Sequence, residues 1–275
     1  MKLRRIAAFS DGSAGGNPAG VYIDASLPDE TEMRRVAAEV GYSETAFAAP
    51  MNGGWRVRYF SPEVEIPFCG HATIALGAAL AMDHGDGIFR LALNAASITV
   101  EGRRDGDAYA ASLQSPSTRS RAADAELVER ALNLFGYVAG DLDTRIPPAI
   151  AEAGARHLVL ALRTRELLAA MAYDLDAGRT LMADAAIITV TLIHARTPQR
   201  FDARNPFASG GVYEDPATGA AAAAFAGYLR DLDWPHDGAI EIVQGEDMGM
   251  RSRLRAEIPS ATGSSIRVSG SARSI

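Results

Sequence analysis

Three side chains that can move protons stand beside turns in this 275-residue sequence: Glu44, His71 and Asp215. Glu44 lies among small and apolar neighbours in the segment Tyr42 to Ala48, an unusual setting for a carboxylate. General acid-base groups work best when their pKa lies near the operating pH, and partial desolvation moves a carboxyl group in that direction. The set therefore favours proton transfer that needs neither a cofactor nor a metal.

Each of these residues also has a structural interpretation. Glu44 could stand at a half-exposed strand edge, His71 could be a hydrogen-bonded core histidine, and Asp215 could cap the helix that follows it. The single cysteine, Cys69, precedes Gly70 where a helix N-terminus would lower a thiol pKa, yet an isolated cysteine is more often a small buried hydrophobic residue. The residue types alone leave both interpretations open.

Two apolar helices follow the candidate residues. The first lies within Ile66 to Met82, a run without Asp, Glu, Lys or Arg that contains Pro67 and is shorter than the roughly 20 residues of a membrane span. A helix that is apolar on all sides and too short for a bilayer belongs in the centre of a soluble domain. The second helix follows the acidic turn that contains Asp215. Two such units predict two similar halves, each with a central helix whose N-terminus opens toward a shared cleft.

Short strands surround both helices in the predicted fold. The first half has strands at 4–9, 20–23, 42–48, 55–60, 88–93, 97–101 and 108–113, a glycine-rich loop at 10–19 and an amphipathic helix at 29–40. The second half has strands at 149–152, 157–161, 185–193, 239–244, 253–258 and 265–269, helices at 125–134, 165–172 and 177–182, and a long loop at 201–213. A shift to Ser, Thr and Arg at 114–121 predicts the domain boundary. Regular βαβ alternation is scarce, so we predict an α+β fold with mixed or antiparallel sheets.

Composition excludes several classes of protein. A net charge of -7 argues against nucleic acid as a partner, because phosphate binding needs a basic surface. One cysteine excludes an internal disulfide and a multi-cysteine zinc site, and the five histidines form no H-E-x-x-H motif. The G-x-S-x-G and G-x-G-x-x-G motifs are absent, which argues against a serine hydrolase and a nicotinamide oxidoreductase. The basic N-terminus has an apolar stretch too short for a signal peptide, so a cytoplasmic protein with no membrane partner is expected.

Four ordered motifs connect the chain to a known family. They are Asn17-Pro18-Ala19-Gly20-Val21, Ser43-Glu44-Thr45-Ala46-Phe47, Cys69-Gly70-His71-Ala72-Thr73 and Glu214-Asp215-Pro216-Ala217-Thr218-Gly219. In order and spacing they resemble the PhzF-like phenazine-biosynthesis family over essentially the whole chain. That family is similar in fold to diaminopimelate epimerase. The resemblance implies two pseudo-symmetric domains, each a barrel-like mixed or antiparallel sheet around one central helix.

The resemblance also implies where the domains begin and end. The first domain would cover residues 1–116 around a central helix at 71–83, and the second would cover 117–264 around a helix at 217–230. The final strand, near 265–271, would return to the first domain. The active site would lie between the two domains, and homodimerisation would be typical of the family.

Particular roles follow from the same resemblance. Glu44 would be the general acid-base of a cofactor-free isomerisation, in which a C-H proton is removed and returned to a different carbon. His71 and Asp215 would position the substrate and move protons. The pocket for a small carboxylate substrate would be lined by Asn17, Ser43, Cys69, Gly70, Thr218, Gly219 and Ala220. Backbone amides at Gly70-His71 and Gly219-Ala220 would hold the substrate carboxylate.

Departures from the family pattern keep two other functions open. Diaminopimelate epimerase uses two facing cysteines, whereas this chain has Thr218 at the second position, which excludes a two-thiol racemase. A one-base amino-acid dehydratase or racemase that uses Cys69 and Thr218 is one alternative, and a non-catalytic metabolite-binding protein is the other. Ala220, Pro206 and Ala208 replace residues that are usual in the family, so the substrate is not determined by the resemblance and a phenazine precursor does not follow from it.

Overall fold

The computed structural model describes residues 2–275. Their β-strands, numbered in chain order, are β1 Lys2–Ala8, β2 Asn17–Ile23, β3 Thr45–Met51, β4 Gly54–Phe60, β5 Glu65–Ile66, β6 Gly87–Ala92, β7 Ser97–Asp105, β8 Ala108–Ser117, β9 Arg119–Ala122, β10 Ala149–Glu152, β11 Arg156–Ala161, β12 Thr189–Thr197, β13 Arg200–Arg204, β14 Pro206–Phe207, β15 Val212–Glu214, β16 Ala239–Gln244, β17 Ser252–Glu257 and β18 Ser265–Ser274. The α-helices are α1 Glu30–Val40, α2 Gly70–His84, α3 Ala125–Phe135, α4 Arg165–Ala169, α5 Leu175–Asp184 and α6 Gly219–Asp231.

The chain divides into two compact units. Unit 1 holds the residues up to Gln114 together with Ser269–Ile275, and unit 2 holds Ser115–Val268. The division falls inside strand β8, and the segment 114–121, where composition predicts the domain boundary, is mostly strand. Serine, threonine and arginine tolerate an extended backbone well, so a polar composition did not prevent strand formation here.

A closed sheet surrounds the central helix of unit 1. Its strand order is β1-β2-β3-β4-β6-β7-β8-β18, and β18 pairs back with β1 so that Ile6 lies opposite Ser274. Most neighbours are antiparallel, while β2–β3 and β4–β6 are parallel. Helix α2 packs against β1, β2, β3, β6 and β7, and its residues 71–81 are buried. The barrel-like sheet with few helices is the predicted mixed α and β architecture.

Unit 2 holds a further run of strands from the same mixed sheet. Its order is β9-β10-β11-β12-β13-β16-β17, continued by the first residues of β18, with parallel pairs at β11–β12 and β13–β16. Helix α6 packs against β9, β10, β11 and β17, and residues 221–230 of this helix are buried. Helices α3, α4 and α5 contribute to a separate apolar core with Leu160 and Leu192 of the sheet. Pseudo-symmetry between the two units stays a prediction.

The prediction of a long loop at 201–213 is wrong. This segment contains most of β13 and a small hairpin of β14 and β15. The charged residues of this segment are paired in the structure: Asp202 accepts from Arg196, and Arg204 donates to Glu214. Buried charges are tolerated when they are paired and hydrogen-bonded, which a residue-by-residue pattern does not reveal.

Several strand boundaries also differ from the sequence prediction. Strand β3 begins at Thr45 instead of Tyr42, so Glu44 lies directly before it. The strand predicted at 185–193 is the strand Thr189–Thr197, because the chain turns at Ala186, where φ is +49°. Asn17, predicted in the glycine-rich loop, is the first residue of β2.

Candidate active site

Glu44 is held at the start of β3 by the parallel neighbour strand. The backbone N-H of Gly20 donates to the Glu44 carbonyl at 3.1 Å. The strands approach closely because Gly20 has no side chain: a Cβ there would lie 2.5 Å from Thr45 Oγ1. Strand β3 lies between β2 and β4, so the alternative of a strand-edge position for Glu44 is wrong. The Glu44 side chain is 16% exposed and is therefore partly withdrawn from solvent.

His71 contacts a different group at each ring nitrogen. Nε2 lies 3.4 Å from Glu44 Oε2 and 3.5 Å from Ser43 Oγ, while Nδ1 lies 3.4 Å from Cys69 Sγ. The residue is the second of helix α2 and is buried. His71 therefore fits both interpretations, because it is a hydrogen-bonded core histidine and also contacts Glu44, the candidate base.

Cys69 is the N-cap residue of α2, but its side chain does not cap the helix. The Cys69 carbonyl accepts from both the backbone N-H and the hydroxyl of Thr73, at 3.0 and 2.6 Å. Thr73 Oγ1 lies 2.7 Å from the hydroxyl of Tyr59, and burial raises the pKa of Tyr59. These buried contacts, which the sequence did not indicate, anchor the start of α2 and leave the Cys69 thiol directed at His71.

Glu44, Cys69 and His71 offer three kinds of metal-binding atom within 4.8 Å of one another. The thiol and the carboxylate, however, face different nitrogens of the ring. A metal binds one imidazole nitrogen in the plane of the ring, so a three-residue chelate would require His71 to turn. The arrangement as it stands suits a chain of hydrogen bonds better than a chelate. That the protein uses no metal stays a prediction.

The second group of candidate residues lies in unit 2, at the start of α6. Thr218, and not Asp215, is the N-cap residue, so the alternative of Asp215 as helix cap is wrong. The Thr218 hydroxyl donates to Asp215 Oδ2 and accepts from Asn205 Nδ2 at 2.6 Å and Gln244 Nε2 at 3.0 Å. Asn205 and Gln244 were missed by sequence reasoning. The only sequence feature that could have indicated Gln244 is its position, since it ends strand β16 immediately before a glycine.

The predicted site residues thus form two groups. Ser43, Glu44, Cys69 and His71 meet in unit 1, where Gly70 opens helix α2 and the buried Asn17 begins β2. Asp215 and Thr218 meet in unit 2, with Gly219 and Ala220 as the first residues of α6. A common crevice for both groups stays a prediction.

Comparison with known proteins identifies the family. The model of the family described as phenazine biosynthesis-like protein matches residues 6–275. The chain belongs to this family. The resemblance stated from the four motifs is therefore confirmed for nearly the whole length of this phenazine biosynthesis-like protein.

Individual relatives support the class of enzyme. An uncharacterised isomerase of Mesorhizobium japonicum is 32% identical over 283 residues, covering 96% of this chain and 93% of the relative. The trans-2,3-dihydro-3-hydroxyanthranilate isomerase of Pseudomonas aeruginosa is 32% identical over 275 residues, covering 96% and 94%. The prediction of an isomerase is confirmed.

A solved structure supports the fold of this family member. The Bacillus anthracis phenazine biosynthesis protein of the PhzF family matches with a TM-score of 0.88 at 20% identity, covering 100% of this chain and 98% of that one. Among residues 2–275, no helix is long and apolar enough to span a bilayer.

Proposed function

We propose that this phenazine biosynthesis-like protein is a cofactor-independent isomerase that moves a proton between carbons of a small carboxylate-bearing metabolite. Glu44 is its general acid-base. The observation that carries the proposal is the partly buried Glu44 carboxylate, 3.4 Å from the His71 ring, at the uncapped start of a buried helix. General bases of this kind act when they reach the proton directly and are oriented by a neighbouring group.

The proton balance of the reaction is simple. The ionised Glu44 carboxylate takes a proton from one substrate carbon, and the electron pair of that C-H bond moves into the conjugated system. The same carboxyl group then returns the proton to a different carbon, so that no net oxidation or hydrolysis occurs. His71 Nε2, 3.4 Å from Oε2, orients the Glu44 carboxylate for this transfer.

The helix termini supply a place for the substrate carboxylate. Neither α2 nor α6 has a side-chain cap at its N-terminus, and first-turn N-H groups lack partners within their own helix. Unpaired amides and the helix dipole together bind anions. We assign the amides at Gly70-His71 and Gly219-Ala220 to this role, with Asp215 as the second residue that positions the substrate and moves protons.

Solvent deuterium exchange tests the role of Glu44. The candidate substrate is trans-2,3-dihydro-3-hydroxyanthranilate, the compound named for the Pseudomonas aeruginosa relative. Wild type in D2O should incorporate deuterium into the acid, followed by mass spectrometry and NMR. Glu44→Gln should lower the exchange rate by about 100-fold or more, because an amide cannot accept the proton and general-base catalysis contributes about that factor.

The exposed Glu63, close to α2 in sequence, offers a matched control. Glu63→Gln should exchange at the wild-type rate, and both variants should retain the wild-type melting temperature. Equal exchange by wild type and Glu44→Gln would remove Glu44 from the mechanism. Binding of the acid by wild type with no exchange at all would instead favour a non-catalytic binding protein.

The thiol beside His71 supports a second candidate function. Cys69 Sγ at 3.4 Å from Nδ1 is placed for proton transfer through the ring, as a one-base dehydratase or racemase of amino acids would require. Cys69→Ala separates the two proposals. The isomerase should keep its exchange rate within about 3-fold, whereas a thiol-dependent enzyme should lose about 100-fold or more.

A further inference from the structure

Gln244 is oriented by two backbone groups whose roles cannot be exchanged. Its Oε1 accepts the backbone N-H of Thr218 at 3.2 Å, and its Nε2 donates to the backbone carbonyl of Asp215 at 2.6 Å. The backbone can only donate from nitrogen and accept at oxygen, so the amide has one allowed orientation. The second Nε2 hydrogen then points to Thr218 Oγ1 at 3.0 Å. Gln244 is 2% exposed, so water does not compete for these bonds.

Asn205 approaches the same hydroxyl from another strand. Its Nδ2 donates to Thr218 Oγ1 at 2.6 Å, its Oδ1 accepts from the hydroxyl of Thr191 at 2.9 Å, and its backbone carbonyl accepts the Asp215 N-H at 3.1 Å. The Asn205 side chain is fully buried. Asn205 and Gln244 therefore both hold the backbone of Asp215 and both donate to Thr218.

The hydrogen-bonding capacity of Thr218 is used up by these partners. A hydroxyl has one hydrogen to donate and two lone pairs to accept with. Asn205 and Gln244 occupy both lone pairs, so the only hydrogen of the group goes to Asp215 Oδ2. Nothing remains for a substrate, and a hydroxyl oxygen that already accepts two bonds is a poor base.

We propose that Asn205 and Gln244 are positioning residues that aim the Asp215 carboxylate through the Thr218 hydroxyl. The inference rests on the proposed function, in which Asp215 acts on the substrate. It assigns Thr218 to Asp215 instead of to the pocket wall, and it weakens the Cys69 and Thr218 alternative, because Thr218 has no lone pair left for proton abstraction. The acting carboxylate of Asp215 is therefore held in place by three residues, which are Asn205, Thr218 and Gln244.

An NMR titration of aspartate labelled with 13C at Cγ tests the inference without any substrate. The Asp215 signal is assigned as the one missing from Asp215→Asn. Thr218→Val keeps the side-chain shape and removes the hydroxyl, so the Asp215 titration midpoint should rise when the hydrogen bond to the ionised carboxylate is lost. Thr218→Ser keeps the hydroxyl and should titrate as wild type does. Equal midpoints in the Val and Ser variants would overturn the inference.

Gln244→Met gives a second, independent variant in case Thr218→Val does not fold. It removes both amide donors at nearly constant volume, and the Asp215 midpoint should again rise relative to wild type. A Gln244→Met midpoint equal to that of wild type would overturn the role of Gln244.

Kinetics on the D2O exchange reaction distinguish positioning from substrate binding. Thr218→Val and Gln244→Met should lower kcat by about 10-fold or more with KM nearly unchanged, because an interaction that aims a reacting group acts in the transition state. A raised KM at constant kcat would place Thr218 against the substrate and overturn the inference. If wild type exchanges no candidate acid, the proposed function fails, while the titration still decides whether Thr218 holds Asp215.

Discussion

At the scale of single residues, two buried histidines show how different environments produce different roles. His71 has partners at both ring nitrogens, one of them the candidate base Glu44. His157 is 1% exposed, contacts Thr189 Oγ1 at 2.7 Å through Nδ1, and has no hydrogen-bond partner at Nε2. A neutral imidazole donates at one nitrogen and accepts at the other, so His71 can relay a proton between its neighbours, whereas His157 serves packing.

The burial of His157 leads to a prediction about stability and pH. Desolvation lowers its pKa from 6.5 to about 4. Between pH 4 and pH 6.5 the unfolded chain binds a proton at His157 that the folded chain does not. The stability that the folded state gains from a neutral His157 is therefore fully present above pH 6.5 and is lost as pH falls toward 4. The loss is on the order of 3 kcal/mol. Thermal or urea unfolding of His157→Leu should show a flatter pH dependence than wild type across this window.

The control for this prediction is the exposed His84. His84→Gln should retain the wild-type slope of unfolding free energy against pH. The desolvation argument fails if His157→Leu loses stability between pH 6.5 and 4 as steeply as wild type does.

At the scale of elements, the contact between α2 and β7 depends on two glycines. A Cβ on Gly102 would lie 2.1 Å from the Gly77 carbonyl oxygen, and a Cβ on Gly77 would lie 2.5 Å from a methyl group of Val100. The helix and the strand therefore meet nearly backbone to backbone. The apolar sequence of α2 that made it look like a core helix also contains Gly77, which permits this approach.

The same contact predicts the effect of adding one methyl group. Gly102→Ala should destabilise the protein by about 2 kcal/mol or more, because overpacking in a tight interior forces the backbone to move. Gly87 is the direct cross-strand partner of Gly102, and a Cβ there meets only ordinary contacts at 3.7 Å and beyond. Gly87→Ala should therefore stay within about 0.5 kcal/mol of wild type in chemical denaturation. Similar free energies of unfolding for the two variants would contradict the packing argument.

At the scale of the whole molecule, the chain's last strand completes the sheet formed by its first residues. Strand β18 pairs with β1, and the backbone N-H of Ser10 donates to the carbonyl of Ser271 at 3.0 Å. Ala272 is 1% exposed, so the returning strand also contributes to the core of unit 1. Closure removes the free edges that an open sheet would expose to aggregation.

Removal of the terminal segment tests this closure. Deletion of residues 270–275 should lower the melting temperature, increase aggregation and abolish protection of the Ser10 amide in hydrogen exchange, because its acceptor strand is lost. Deletion of the half-exposed Ile275 alone should leave the Ser10 amide protected. Undiminished protection in the longer deletion would show that unit 1 does not need the returning strand.

Local patterns were sufficient for the elements whose determinants lie close together in the chain. The helix predicted at 29–40 begins after its N-cap Asp29 and ends before Gly41, and the two central helices also appear near the predicted positions. The four motifs identified the family and the class of enzyme. Helix caps and uniform apolar runs act within a turn or two of the backbone, so their residues alone can specify them.

Contacts between distant residues required the tertiary structure. Asn205 and Gln244 reach Thr218 across 13 and 26 positions of sequence, and nothing in their local segments marks them as partners of Asp215. The strand at 200–204 was also missed, because the ion-pair partners of Asp202 and Arg204, which are Arg196 and Glu214, lie on other strands. Hydrogen bonds and ion pairs depend on separation in space, and only the folded chain brings these groups within reach of one another.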